Sequence, residues 1–340
     1  MHFRISRLLS VILLLALLSG CGQSISESEV PASEAPDMVQ EDVYTETVAV
    51  SEEDALETEA QALAAEPAAP AASLEILEAV ASGEKEKKNQ KATIDYSNTK
   101  DGYVMVRYTE STTQRLKVKV TGPTTAYTYN LNPGQWTVFP LSDGNGKYQV
   151  TVYQNVTGTK YSNVLTQSVD VELTDEFAPF LRPNQYVDYS ASSQTVAKAE
   201  ELTKGITDPL EKVSVIYDYV VKNLSYDYEK AATVKSGYLP VLDTVLSEKK
   251  GICFDYAALM TGMVRSQGIP CKLVVGYAGT AYHAWISIWS EESGWVDGVI
   301  FFDGTSWQRM DPTFASSANQ SASIMAYIGD GSNYTTKYLY

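Results

Sequence analysis

The chain has 340 residues, of which 42 are acidic, 26 are basic and two are histidine, so its formal net charge is −16. This negative balance argues against nucleic-acid binding, which needs a positive surface, and against electrostatic adhesion to anionic lipid. A hydrophobic share of 44% is enough to build real cores and excludes global disorder. Three cysteines are too few for a disulfide scaffold or a cysteine-rich zinc site.

Residues 1–20 have the pattern of a secretory signal, with a basic start and an apolar run at 8–18 that is too short for a permanent membrane helix. Small residues then lead to Cys21, and LLSGC resembles a bacterial lipobox. The resemblance implies that Cys21 is lipidated and anchors the chain to the extracytoplasmic face of the bacterial cell membrane. An ordinary signal with a cysteine after its cleavage site is the alternative.

Residues 21–91 contain 17 acidic and four basic side chains, and Tyr44 is the only aromatic residue among them. Such a segment cannot bury enough apolar surface to offset the entropy of ordering, so we expect a disordered, self-repelling tether. A short helix near 74–81 is compatible with the sequence. A specific acidic docking tail is the functional alternative to a plain spacer.

Residues 92–175 predict a small antiparallel β-sandwich of the Ig-like kind. Alternating, aromatic-rich stretches are separated by turn signals such as NPG and DGNG, a spacing typical of sandwiches. The predicted strands are 103–109, 115–120, 126–131, 136–141, 148–153 and 164–173. We expect their tyrosines to pack within the sandwich rather than to bind a ligand.

Residues 176–340 predict an α+β domain, because helices are followed by an antiparallel sheet. The predicted helices begin at Asp208, Leu239 and Cys253. The first has a capping residue in Asp208, a proline in its first turn and helical apolar spacing. The predicted strands are 272–277, 283–289, 298–303 and 306–311.

Three residues of this domain form a candidate catalytic set. Cys253 follows Gly251 at the start of a helix, where the backbone dipole favours a negative charge. His283 begins a strand, and Asp311 ends another before Pro312. A thiol, an imidazole and a carboxylate can act as nucleophile, base and orienting group. Removal of the signal segment would take away His2, and lipidation would use Cys21, which leaves one histidine and two thiols. We therefore expect no metal site and no cofactor.

Each of these residues also has a structural interpretation. Cys253 can be a small buried hydrophobe, His283 a core or surface group, and Asp311 a turn former. Cys271 precedes an apolar strand and is expected to be structural. A disulfide between Cys253 and Cys271 is a further alternative.

The motifs are similar to those of the transglutaminase-like superfamily. GICFDYAALM, starting at Gly251, resembles its nucleophile helix, and GIPCKLVVGY, starting at Gly268, resembles its next strand. HAW at His283 and DPT at Asp311 follow in the same order. The resemblance covers about 205–315 and implies a papain-like core, with Cys253 as nucleophile, His283 as base and then acid, and Asp311 as the partner of His283.

The sequence departs from animal transglutaminases at two points. Phe254 stands where those enzymes have tryptophan, and no calcium-binding loop is evident, which puts transamidation and calcium activation in doubt. No oxyanion side chain is identified. Tyr226 and Tyr228 are candidates for lining the cleft or for an oxyanion role, although core packing is the preferred interpretation of each.

These observations favour a surface thiol enzyme that acts on amide bonds through a thioester, by hydrolysis or by transamidation. Its partners would be a protein or peptide substrate at the cell surface or cell wall, and the membrane through lipid on Cys21. The alternative is a non-catalytic scaffold or binding module that keeps the fold. An intact triad argues against the scaffold.

Overall fold

The computed structural model describes residues 75–297, 299–302, 307–309 and 334–340. The signal segment, Cys21 and Asp311 lie outside these ranges. The α-helices within them are α1 Gln194–Leu202, α2 Pro209–Asn223, α3 Tyr228–Thr233, α4 Leu242–Glu248 and α5 Cys253–Ser266. The strands are β1 Glu86–Lys88, β2 Ala92–Asp95, β3 Tyr103–Tyr108, β4 Leu116–Thr121, β5 Ala126–Leu131, β6 Thr137–Pro140, β7 Gly146–Thr157, β8 Lys160–Val171, β9 Ser225–Tyr226, β10 Lys250–Gly251, β11 Cys271–Ala278, β12 Ala281–Ser290, β13 Gly294–Asp297, β14 Val299–Phe302, β15 Trp307–Arg309 and β16 Tyr334–Leu339.

Two four-stranded antiparallel sheets form the first part of the described chain. Their strand orders are β1-β2-β3-β6 and β5-β4-β7-β8. Along β4, Leu116, Val118 and Val120 are buried while the lysines between them are partly exposed. This alternation gives each strand one apolar face, and both sheets contribute to the same hydrophobic cluster. The short antiparallel strands agree with the sequence; the Ig-like type stays a prediction.

The folded part begins earlier in the sequence than residue 92. β1 lies within 21–91, the range expected to be a tether, and pairs with β2. The helix considered near 74–81 is not formed over its described residues, which are irregular. Instead the main-chain oxygen of Val80 accepts a hydrogen bond from Asn98 Nδ2 at 2.8 Å. Sheet pairing and side-chain hydrogen bonds therefore order this end of the expected tether.

The remaining described residues combine helices with a four-stranded antiparallel sheet in the order β13-β12-β11-β16. The mixed helix-and-sheet class predicted from the sequence is confirmed. α5 is buried along nearly its whole length, from Asp255 to Ser266. Buried Arg265 of α5 donates to the main-chain oxygens of Cys271 at 2.8 Å and Tyr340 at 2.6 Å. The helix is thus fixed to both β11 and the residue that follows β16.

A cluster of aromatic rings joins the β-rich part to this second part. Tyr129 of β5 has its ring centroid 5.7 Å from that of Tyr186 and 5.9 Å from that of Tyr340. Tyr127 is 5.7 Å from Tyr340 by the same measure. Tyr127 and Tyr129 are only 2% and 1% exposed, so these strand tyrosines pack in the interior, as the sequence predicted.

The part of the chain that the structure describes includes no helix of sufficient length and hydrophobicity to cross a membrane.

Candidate active site

Cys253 is the first residue of α5, as the sequence predicted. β10 pairs in parallel with β9, which places Gly251 opposite Tyr226. Ile252 is extended and turns the chain from β10 into the helix. The Cys253 thiol is free and partly exposed. The partial positive charge of the helix N-terminus favours negative charge at this place.

Asp255, two residues further on, closes the first turn of α5. Its Oδ2 accepts a hydrogen bond from the main-chain N–H of Ile252 at 2.8 Å. Asp255 can pack against Gly251 because glycine has no side chain: a Cβ atom on Gly251 would lie 2.6 Å from Asp255 Cβ. Gly251 is therefore needed for the packing of this turn.

The carboxylate of Asp255 is completely buried and takes two further hydrogen bonds. Lys230 Nζ donates to Oδ2 at 2.7 Å, and the hydroxyl of Tyr238 donates to Oδ1 at 2.6 Å. Burial lowers the pKa of Lys230, but its hydrogen bonds to Asp255 and Tyr238 outweigh this and raise the pKa above its ordinary value. Burial, followed by the hydrogen bond to Asp255, raises the pKa of Tyr238 to about 12. Lys230 is therefore charged and Tyr238 neutral at physiological pH.

The packing of α5 on the sheet determines which end of β12 lies near Cys253. Cys271 Sγ is 3.8 Å from Thr261 Oγ1, and Cys271 pairs with Ile288. From Thr261, Cys253 lies about 12 Å back along the helix axis. From Ile288, His283 lies about 17 Å back along β12. Because a short turn joins α5 to β11, and β12 runs antiparallel to β11, we expect the starts of α5 and β12 at the end of the sheet away from that turn.

The environment of Tyr282 agrees with this placement. Tyr282 keeps 54% of its surface exposed, but burial of the rest raises its pKa to about 12, and charges on Tyr338, Tyr277 and Cys253 add to the effect. Cys253 is thus within electrostatic range of the residue that precedes His283 in β12. Beside Cys253, the ring of Phe254 lies 5.6 Å from that of Tyr186, measured between centroids.

His283 is 6% exposed and pairs with Gly276 of β11. Its ring centroid is 6.3 Å from that of Trp285, nearly parallel to it, and 6.5 Å from that of Tyr334. Gly276 permits this packing, because a Cβ atom there would lie 2.8 Å from Cη2 of the Trp285 ring. His283 is therefore held in a defined aromatic surrounding.

The cleft candidates Tyr226 and Tyr228 are in contact, with ring centroids 4.9 Å apart in an edge-to-face arrangement. Tyr226 is partly buried against the core and lies beside Gly251. Tyr228 is 61% exposed, so core packing does not account for it. Their oxyanion role, and the partnership of Asp311 with His283, stay predictions.

Cys271 behaves as the structural cysteine that the sequence predicted. It is fully buried, and burial raises the pKa of its thiol to about 12. Both Cys253 and Cys271 are free, so the disulfide considered from the sequence is not formed.

Sequence reasoning missed Lys230, Tyr238 and the role of Asp255. The available signal was an acidic residue in the first turn of an otherwise apolar helix, since a buried carboxylate requires a charged or hydrogen-bonding partner. Among the described residues, no group of three or more histidine, cysteine, aspartate or glutamate side chains is arranged to hold a metal ion.

Two curated relatives are similar to part of this chain. The uncharacterized protein YebA of Bacillus subtilis strain 168 is 22% identical over 195 residues, which cover 51% of this chain and 26% of the relative. A protein-glutamine gamma-glutamyltransferase of Pseudomonas aeruginosa is 28% identical over 115 residues, which cover 29% of this chain and 17% of the relative. The chain thus spans about a quarter or less of the length of these relatives.

Solved structures give weaker similarities. A proposed cysteine protease from Cytophaga hutchinsonii aligns with a TM-score of 0.35 and 16% identity, covering 70% of this chain and 83% of that one. The periplasmic domain of TgpA from Pseudomonas aeruginosa, bound to ethylmercury, aligns with a TM-score of 0.31 and 18% identity, covering 69% and 77%.

The family comparison agrees with the motifs. The sequence pattern of the transglutaminase-like superfamily matches residues 196–312, a range that includes Cys253, His283 and Asp311. The resemblance inferred from four ordered motifs is therefore confirmed, and residues 196–312 of this chain are a domain of the transglutaminase-like superfamily.

Proposed function

We propose that the chain is a thiol enzyme that acts on amide bonds through a covalent thioester. The proposal is carried by Cys253, a free and partly exposed cysteine on the first residue of α5, within electrostatic range of Tyr282, the neighbour of His283. The superfamily match and the name of the Pseudomonas relative support it.

In the proposed reaction, His283 takes the proton of the Cys253 thiol, and the sulfur attacks the carbonyl carbon of a carboxamide or peptide. The C–N bond breaks, a thioester forms, and His283 returns the proton to the leaving ammonia or amine. Asp311 orients the imidazole and stabilises its charged form. The main-chain N–H of Cys253 is the candidate donor to the oxyanion.

The acceptor decides the product. Water releases a carboxylic acid and completes hydrolysis, whereas a lysine amine forms a new amide bond and completes transamidation. The name of the Pseudomonas relative supports transfer, and that of the Cytophaga protein supports hydrolysis. Phe254 in place of the tryptophan of animal transglutaminases makes hydrolysis the first activity to assay.

The proposed place of action is the outside of the cell. The lipobox resemblance at Cys21 supports a lipid anchor on the extracytoplasmic face of the bacterial membrane, and the acidic residues after it would act as a spacer. The substrate would be a protein or peptide at the cell surface or in the cell wall.

The test uses the full chain with Cys21→Ser, in which Cys253 and Cys271 are the remaining thiols. A glutamine-containing peptide is supplied with and without a fluorescent primary amine. Acid quenching followed by intact-mass analysis should show an acyl adduct on Cys253, with release of ammonia. Incorporation of the amine would identify transfer, and free acid alone would identify hydrolysis.

The controls separate the catalytic thiol from the structural one. Cys253→Ala should abolish the adduct, and Cys271→Ala should retain it. Iodoacetamide should alkylate Cys253 at least about tenfold more slowly in His283→Ala than in wild type, because the imidazole promotes ionisation of the thiol. If no adduct forms with peptide or protein substrates and alkylation ignores His283, the enzyme proposal fails and the binding-module alternative gains support.

A further inference from the structure

A negative charge is built into the first turn of the nucleophile helix. Asp255 follows Cys253 by two residues, and its carboxylate is 0% exposed. Its hydrogen bonds come from the Ile252 N–H, the Lys230 ammonium and the Tyr238 hydroxyl, at 2.6 to 2.8 Å. The charge therefore cannot be screened by water and depends on these partners for compensation.

An uncompensated carboxylate at this place would oppose catalysis. A thiolate at Cys253 would place a second negative charge two residues away in the same helical turn, and like charges repel. The helix dipole alone is equivalent to about half an elementary charge and cannot cancel a full carboxylate. A positive side chain beside Asp255 would offset this charge.

Lys230 supplies this positive charge. Its side chain is 28% exposed, and its ammonium lies 2.7 Å from Asp255 Oδ2. The ammonium also donates to the hydroxyl of Tyr238 and lies 4.3 Å from the centroid of that ring, so its position is fixed from two sides. Lys250 forms another ion pair nearby, with Asp227 at 3.2 Å, so the charge of Lys250 is compensated by Asp227.

We propose that Lys230 is a positioning residue for Cys253: it neutralises the buried charge of Asp255 and so permits the nucleophile to carry charge. Tyr238 keeps the ammonium in place. This inference rests on the proposed thiol chemistry of Cys253, and it adds two residues from outside the Cys-His-Asp set.

The experiment measures iodoacetamide alkylation of Cys253 in the full chain carrying Cys21→Ser. Lys230→Met leaves Asp255 uncompensated and should slow alkylation by roughly tenfold, the effect of one nearby charge. Asp255→Asn removes the negative charge and should keep the rate at or above that of wild type. The double variant has neither charge and should recover to within about threefold of wild type. Lys230→Arg should retain most of the rate.

A purely structural role predicts a different pattern. Each single substitution would then slow alkylation, and the double variant would be at least as slow as the slower single one. Lys222→Met, which breaks an exposed ion pair with Asp218 on α2, is the matched control and should leave the rate unchanged. Circular dichroism and protection of buried Cys271 from alkylation report whether each variant is folded. If Lys230→Met is unfolded, Lys230→Gln replaces it in the same comparison.

The outcomes distinguish the two proposals. If His283→Ala has no effect on alkylation but Lys230→Met still slows it with recovery in the double variant, the enzyme proposal fails and the inference stands. The opposite result is that His283→Ala slows alkylation of Cys253 while Lys230→Met does not, or that the double variant stays slow. The inference is then overturned and the enzyme proposal stands.

Discussion

Gly251 is the residue where a single added methyl group would disturb the candidate site most directly. A Cβ atom there would meet Asp255 Cβ at 2.6 Å and Asp255 Oδ2 at 3.0 Å. Both are far inside van der Waals contact, so Asp255 would have to move and release its hydrogen bond to Ile252. The geometry of the candidate site therefore requires glycine at position 251.

Gly251→Ala should lower the free energy of unfolding by about 1–3 kcal/mol, as overpacking does in other interiors. It should also slow alkylation of Cys253, because the first turn of α5 is displaced. Urea denaturation and the alkylation rate measure the two effects. Gly134→Ala is the control: its Cβ atom would have nothing within 4 Å, but its φ of +89° makes alanine unfavourable.

The control should cost about 1 kcal/mol of stability and leave alkylation unchanged. Equal alkylation rates of Cys253 in Gly251→Ala and Gly134→Ala would contradict the packing explanation for Gly251.

At the same scale, the sequence predicted Cys253 as the first helical residue and Cys271 as structural, and both predictions hold. These positions follow from local signals, namely a glycine before a helix and an apolar strand. Lys230 and Tyr238 carry no local signal, because they reach Asp255 across 25 and 17 positions of sequence. Their role appears only when the fold brings them to the first turn of α5.

Among the elements, α2 follows most directly from its sequence. Asp208 Oδ1 accepts a hydrogen bond from the Glu211 N–H at 2.8 Å, and Pro209 occupies the first turn. Val213, Ile216, Tyr217, Val220 and Val221 form the buried face that the apolar spacing predicted. Capping and periodicity, which are both local, thus determine this helix.

Asp208→Ala should lower the free energy of unfolding by about 1 kcal/mol, because the N–H at the helix start loses its side-chain acceptor. The alkylation rate of Cys253 should not change, because α2 contributes no residue to the candidate site. Urea denaturation measures the loss. Asp218→Ala, in an exposed ion pair on the same helix, should cost less than about 0.5 kcal/mol. A loss in Asp218→Ala equal to that in Asp208→Ala would contradict a capping effect.

Several elements were not predicted from the sequence. Charged β1 is stabilised by its pairing with β2, and β13 depends on its pairing with β12. β16, with the sequence YTTKYL, pairs with β11, far earlier in the chain. Periodicity identifies the long amphipathic strands, but it does not reveal short strands such as β1 and β13 or the distant partner of β16.

Across the whole molecule, buried tyrosines of the β-rich part pack against Tyr186 and Tyr340 of the second part. Tyr127 is 2% exposed, and burial, with the charge of Asp143 adding to it, raises its pKa to about 12. A phenol with a raised pKa stays protonated in the folded chain where the unfolded chain would lose the proton. Its contribution is complete below pH 10 and is lost as the pH rises towards 12.

The wild-type chain should therefore lose stability above pH 10, with each such tyrosine contributing up to about 1.4 kcal/mol per pH unit. Tyr127→Phe keeps the ring but has no proton to lose. Thermal unfolding of both proteins between pH 8 and 11 tests this: the stability difference between wild type and variant should become smaller above pH 10.

Tyr228→Phe, at an exposed position, is the control and should keep the wild-type pH dependence. A stability difference for Tyr127→Phe that stays constant up to pH 11 would show that its phenol does not contribute to alkaline unfolding.

The position of β16 in the sequence has a consequence for the order of assembly during synthesis. α5 and β12, which carry Cys253 and His283, leave the ribosome before Tyr334–Tyr340 are made. Until then β11 lacks one neighbouring strand, and Arg265 lacks the Tyr340 oxygen that it binds in the finished fold. The newly made chain therefore carries its nucleophile on an unfinished sheet until β16 has been translated and pairs with β11.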